Sequence, residues 1–323
     1  MAIDLLTLEP QQISKNLKGK FIFVYGQEKA GKTTLASELE KVLICSFEMG
    51  TNALHNVFVA PMKTWMDWKG IIRQLVRQKD ELSEKYHTLA IDTVDEAYKL
   101  CEKYICAQNG VETLKDIPWG AGFKMLDDEF SSTFRELAFA GYGLFFISHA
   151  KEKTLKDDKG NEYNRIVPAL ADRPFGIINK MVDIIAYLRQ IPVQNGEEVE
   201  QKRYLFLRGD ERFHAGSRFK YIEPRIELSY ENLVKAIYDA IDKEIENKGG
   251  TTTLEENPYL VQDFESLMNE ARMIWGKIVN NGETEAALKI LEEEFGQAIR
   301  FSEILPEQIE QLNNSLIRIK DLI

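Results

Sequence analysis

The feature that most constrains this chain is the octapeptide Gly26-Gln27-Glu28-Lys29-Ala30-Gly31-Lys32-Thr33, a complete GxxxxGK[ST] pattern. Such a loop works in one setting only. It leaves a buried strand, curls so that several backbone N–H groups converge on phosphate oxygens, and enters a helix whose first amides face the same anion. The flanks supply that setting: Phe21-Ile22-Phe23-Val24-Tyr25 is an apolar run of strand type, and residues 32–42 read as a helix. In this layout Lys32 reaches the β- and γ-phosphates and the Thr33 hydroxyl holds Mg²⁺. Thr34 is carried with the loop as a contact candidate, although its position is first of all that of a helix residue. A ligand-free Gly-rich turn is the bland alternative, and the strand-loop-helix context disfavours it.

The chain then alternates strand-like and helical patterns, as expected of an α/β fold with a mostly parallel sheet flanked by helices. Leu43-Ile44-Cys45-Ser46-Phe47 reads as the second strand, residues 65–85 as a helix, Leu89-Ala90-Ile91 as a short buried strand and Leu144-Phe145-Phe146-Ile147 as another. Residues 184–188 and 203–207 flank Asn195-Gly196, the signature of an antiparallel hairpin at the sheet edge. Asp92 ends its strand where a carboxylate lies beside the phosphate loop, so it is the candidate to fix Mg²⁺ through water. The same Asp is also placed to cap the helix that begins at Val94. Hydrolysis needs a carboxylate to orient water. In many P-loop ATPases a Glu directly follows the strand-end Asp, but here Thr93 does. Glu48, just past the second strand, is the alternative.

With that placement the sequence resembles the short RecA-core ATPases of phage recombination systems, the Sak-type proteins. The resemblance covers most of residues 18–240. It rests on the phosphate loop through Thr34, Phe47-Glu48-Met49-Gly50, Ile91-Asp92-Thr93, Trp119-Gly120-Ala121-Gly122-Phe123, Phe146-Ile147-Ser148-His149 and Ala215-Gly216-Ser217-Arg218, in the family's order. It implies a RecA-like P-loop core that binds Mg-ATP, with Glu48 as catalytic base. His149 would be the γ-phosphate sensor, where RecA itself carries Gln, or a strand-cap histidine. It implies head-to-tail homo-oligomers in which a basic residue completes the neighbour's site. Arg212, Arg218 and Lys220 are the candidates, Arg218 first because Gly216 permits an exposed loop, with an ordinary solvated charge cluster as the alternative. It also implies single-stranded DNA as partner. Trp119, between Pro118 and Gly120, is an aromatic able to stack on a base, and the expected loop over residues 151–176 carries Lys151, Lys153, Lys156, Lys159, Arg165 and Arg173 among five acidic residues.

Composition limits the other classes. The net charge of −11 argues weakly against tight duplex binding, and no apolar run approaches the roughly 20 residues of a bilayer span. The first ten residues lack a signal-peptide pattern, so a cytoplasmic protein is expected. Cys45, Cys101 and Cys106 have no metal or redox spacing. Much of the acidity lies in residues 247–323, with 7 basic and 14 acidic residues. The shift coincides with a Gly/Thr-rich stretch, dividing the chain into a core (1–246), a linker (247–257) and a small acidic all-α domain (258–323) of three helices. Weak likeness to C-terminal modules of phage annealing proteins makes a single-strand-binding or annealing protein the expected partner of that domain. A hexameric helicase-type motor and a nucleotide-gated assembly factor with little turnover are the rival readings. No Arg-rich lid supports a small-molecule kinase, and no Asn-Lys-x-Asp motif supports GTP.

Overall fold

The computed structural model describes residues 17, 19–195, 198–248, 264–305, 308–320 and 322. The chain divides into two compact units, Met1–Tyr259 and Leu260–Ile323. In chain order the first contains β1 (Phe21–Gly26), α1 (Lys32–Ser37), β2 (Val42–Ser46), β3 (Phe58–Pro61), α2 (Trp65–Arg77), α3 (Lys79–Lys85), β4 (Thr88–Asp92), α4 (Val94–Gln108) and α5 (Ala121–Phe139). It continues with β5 (Gly143–Lys156), β6 (Glu162–Pro168), α6 (Asp172–Met181), β7 (Ile184–Asn195), β8 (Glu198–Phe206), β9 (Gly216–Ser217), β10 (Arg225–Glu227) and α7 (Tyr230–Lys248).

The sheet order is β10-β8-β7-β1-β5-β4-β2-β3, with β6 beside β5 and β9 beside β7. All pairs from β7 through β1 to β3 are parallel, and the additions β6, β8, β9 and β10 are antiparallel. This is the mostly parallel α/β architecture that the alternating pattern predicts. A parallel strand is covered on both faces, which is why β1 reads as unbroken apolar sequence. Phe23 and Tyr25 face a layer holding Trp65, Trp68, Phe130 and Phe134. Ile22 and Val24 face Leu35 and Ala36 of α1 with Leu233 and Ile237 of α7.

Several boundaries differ from the sequence reading. The helix expected over 32–42 stops at Ser37, and Val42 begins β2 after a turn in which Lys41 adopts φ 47°. The helix expected over 65–85 is interrupted at Gln78, whose φ of −110° and ψ of 37° are not helical. Strand β3 was not foreseen; its side chains are largely exposed and only pairing with β2 defines it. Residues 151–176 are not a loop. They continue β5, turn into β6 through the register Ala150↔Pro168 to Lys156↔Glu162, and enter α6. The β7–β8 hairpin is antiparallel up to Asn195↔Glu198, while Gly196 lies outside the described residues.

The second unit contains α8 (Phe264–Asn281), α9 (Thr284–Phe295) and α10 (Ile309–Lys320). Its core includes Leu267, Ile274, Ile278, Leu291, Leu312, Leu316 and Ile319. Leu288 of α9 is exposed. Of the expected linker, Asn247 and Lys248 close α7, and residues 249–257 lie outside the described residues. Among the described residues, no helix is long and apolar enough to cross a membrane.

Candidate nucleotide site

Register brings the motif residues to one edge. Gly26 pairs with His149 across β1 and β5, Asp92 with Ile147 across β4 and β5, and Ser46 with Asp92 across β2 and β4. The carboxyl ends of four adjacent parallel strands therefore border one crevice, the usual ligand position in open α/β sheets. Gly26 must lack a side chain here, because a Cβ would stand 2.5 Å from the Leu188 carbonyl oxygen of β7. Gly31 turns the loop into α1 at φ 107°.

Inside the loop, Lys32 is buried, and its Nζ donates to the carbonyl oxygens of Gly26 at 2.9 Å and Gln27 at 2.7 Å. Burial lowers its pKa, opposed by the charges of Asp92 and Glu48. Gln27, Glu28 and Lys29 lie exposed along the loop, Ala30 is buried, and Thr34 is exposed on the first turn of α1. The Thr33 hydroxyl donates to Asp92 Oδ2 at 2.8 Å. Burial raises the Asp92 pKa while that hydrogen bond opposes the rise. The pair fits Mg²⁺, which takes one or two carboxylates and completes its shell with water and phosphate oxygens. Among the described residues, no cluster of three or more His, Cys, Asp or Glu forms a closed metal cage.

Glu48 is fixed from two directions. The Phe47 and Glu48 N–H groups both donate to the Asp92 carbonyl, at 2.6 and 3.2 Å. Thr93 Oγ1 donates to Glu48 Oε1 at 2.6 Å, and His149 Nε2 stands 3.3 Å from each Glu48 oxygen. The His149 hydrogen bond, with Thr93 assisting, holds the Glu48 pKa below its ordinary value; the same contact raises that of His149. Behind them Ser148 Oγ donates to Asp95 Oδ1 at 3.1 Å, and burial raises the Asp95 pKa.

Thr93, Asp95 and Ser148 were missed by sequence reasoning. Their signal was adjacency alone: Thr93 follows Asp92, Asp95 opens α4 and Ser148 precedes His149.

The remaining candidates lie elsewhere. Arg218 Nη1 is 3.1 Å from Asp183 Oδ1, and Asp183 Oδ2 accepts from the Phe21 N–H at the start of β1, the end opposite Gly26. Arg212 is exposed in a turn where its N–H donates to Asp210 Oδ1, and Lys220 Nζ stands 5.0 Å from the Tyr221 ring centroid. Trp119 is fully exposed at φ 62°. Lys151 bonds the Ala169 carbonyl, Lys153 pairs with Asp172 at 2.8 Å, Arg165 bonds the Asp210 carbonyl, and Arg173 pairs with Asp127 at 2.7 Å.

With this geometry in hand, two comparisons bear on the chain. An AAA domain family model matches residues 18–219, the stretch that carries the loop, Glu48, Asp92 and His149. The SPbeta prophage-derived uncharacterized protein YorG of Bacillus subtilis (strain 168) is 32% identical over 330 positions, covering 100% of this chain and 99% of that protein. A P-loop with a paired strand-end Asp, matched over most of its sheet, makes this chain a member of the AAA domain family.

Proposed function

We propose that the protein is a Mg²⁺-dependent ATPase, encoded by a phage or prophage and working in the bacterial cytoplasm. The observation that carries this is the convergence of Glu48, positioned by Thr93 and His149, with the Thr33–Asp92 pair at the mouth of a complete phosphate loop. Lys32 and the loop amides hold the phosphates. Thr33, and Asp92 through water, would hold Mg²⁺, which supplies neutralisation of phosphate charge. Glu48, kept ionised by its neighbours, accepts a proton from the attacking water. His149 keeps the carboxylate aimed and carries the signal of the γ-phosphate end.

The finer reading is a RecA-like enzyme of Sak type that binds single-stranded DNA during recombination or annealing. It assembles head to tail, with Arg218, Arg212 or Lys220 offered to the next subunit. The exposed Trp119 supports a stacking surface. The continuity of β5 supports coupling, since one strand runs from His149 into the mixed-charge hairpin that carries Lys151 and Lys153. A nucleotide-gated assembly factor is the second reading, favoured by the internal pairing of Lys153 and Arg173. Steady-state ATP hydrolysis with and without single-stranded DNA separates the two. Stimulation by DNA that is lost in Glu48→Gln supports the recombination reading. Hydrolysis indifferent to DNA removes it, and ATP retained through long incubation favours the assembly factor.

A further inference from the structure

Strand β8 has two faces. Leu205 and Leu207 pack in the layer that holds Leu35 and Ala36 of α1, whereas Phe206 packs on the other side against Tyr187 and Phe213. Alternation puts Arg203 on the α1 face with Leu205 and Leu207. Register sets its height: Gly26 pairs with Leu188, Leu188 with Leu205, and Gln190 with Arg203. Arg203 thus stands two residues beyond the level at which the phosphate loop begins. The loop meets it there, because a Cβ at Gly31 would lie 3.0 Å from Arg203 Nη1 and 3.9 Å from its Cδ. The Leu228 N–H anchors the Arg203 carbonyl at 2.9 Å.

Three neighbouring cations are engaged. Lys202 pairs with Glu227 at 3.6 Å, Arg225 lies 4.7 Å from the Tyr204 ring centroid, and Arg208 binds the carbonyls of Ser217, Phe219 and Lys220. Among the described residues, the Arg203 guanidinium has no carboxylate, carbonyl or ring partner. A cation brought from another strand to a loop that holds Lys29 and Lys32 against one acid, the exposed Glu28, fits an anion large enough for more than one of them. A guanidinium also presents a planar fork to two phosphate oxygens.

Accepting the loop as the nucleotide site, we propose that Arg203 binds the phosphate chain of a nucleotide in its own subunit. The sheet order adds which part. β8 lies on one side of β1, and β5, β4 and β2 with His149, Asp92 and Glu48 lie on the other. Arg203 therefore grips the phosphates that remain in the diphosphate product, and it contributes to binding rather than to cleavage.

The test uses the full chain with fluorescently labelled ATP and ADP. Arg203→Ala weakens both by a similar factor of about tenfold or more, the loss expected of a hydrogen bond to an ionised group. Its kcat at saturating ATP stays near wild type, and Arg203→Lys recovers part of the affinity. Unchanged affinity in both variants, with binding abolished in Lys32→Ala, overturns the role of Arg203 and leaves the ATPase reading standing. Unchanged binding in Lys32→Ala overturns the loop reading itself. Recovery of tight nucleotide binding on mixing Arg203→Ala with Lys32→Ala subunits overturns the assignment to the same subunit. A lower kcat with unchanged ADP affinity overturns the assignment to the retained phosphates.

Discussion

Replacing Thr93 by Val tests whether Glu48 is a positioned base. Thr93 is 1% exposed, and Val has nearly its shape, so the change removes a hydroxyl and little else. Although Thr93 heads α4, its side chain makes no capping bond; Oγ1 is committed to Glu48 at 2.6 Å. The helix therefore loses no support. A hydrogen bond to an ionised group contributes about 1.5–3 kcal/mol. The Glu48 side chain is 34% exposed, so water replaces part of that and the low end applies. Without the Thr93 hydrogen bond, which helps hold it low, the Glu48 carboxyl pKa rises. The base works when ionised, so the acid limb of the rate profile moves to higher pH. At neutral pH the looser carboxylate lowers kcat by about tenfold. The assay is ATP hydrolysis at saturating nucleotide across pH, alongside nucleotide affinity and thermal melting. An unmoved acid limb with kcat within about twofold of wild type refutes the reasoning. So does a rate loss matched by an equal loss of nucleotide binding.

Four further outcomes are expected. Glu48→Gln keeps nucleotide affinity and lowers hydrolysis by about 10²–10⁴-fold, measured by single-turnover kinetics. His149→Gln lowers Tm by about 2 °C at most, because both partners are partly exposed. His149 has a raised pKa, so its contribution is complete below about 6.5 and fades as pH climbs through the higher folded value. Glu48 has a lowered one, so its contribution is complete above about 4.5 and fades as pH falls through the lower folded value. The Tm gap to wild type is therefore widest between those values, and a gap independent of pH refutes the pair. Gly26→Ala forces β7 away from the loop and costs about 1–3 kcal/mol with weaker nucleotide binding, seen by denaturant titration. Gly70→Ala in α2, where a Cβ meets nothing within 4 Å, leaves nucleotide binding unchanged.

What the sequence revealed, and what it hid, follows from how far each feature reaches along the chain. The phosphate loop, Asp92 and Glu48 were legible because each ends or follows an apolar run that had to be a strand. The short α1 was not, since the turn after Ser37 uses Lys41 at φ 47° and no glycine marks it. Nor was β3, whose exposed side chains write no burial pattern. The outer half of β5 alternates lysines with other residues and buries little, so its strand character comes from pairing with β6. Thr93 read only as the absence of a Glu, because its partner lies on another strand. The site's remaining chemistry depends on sheet order rather than chain order. β1 lies between β5 and β7, both more than a hundred positions away, and only that arrangement brings His149 to one side of the loop and Arg203 to the other. A local motif identifies a phosphate loop, but which side chains attend it is decided by strand register, and register is a property of pairs.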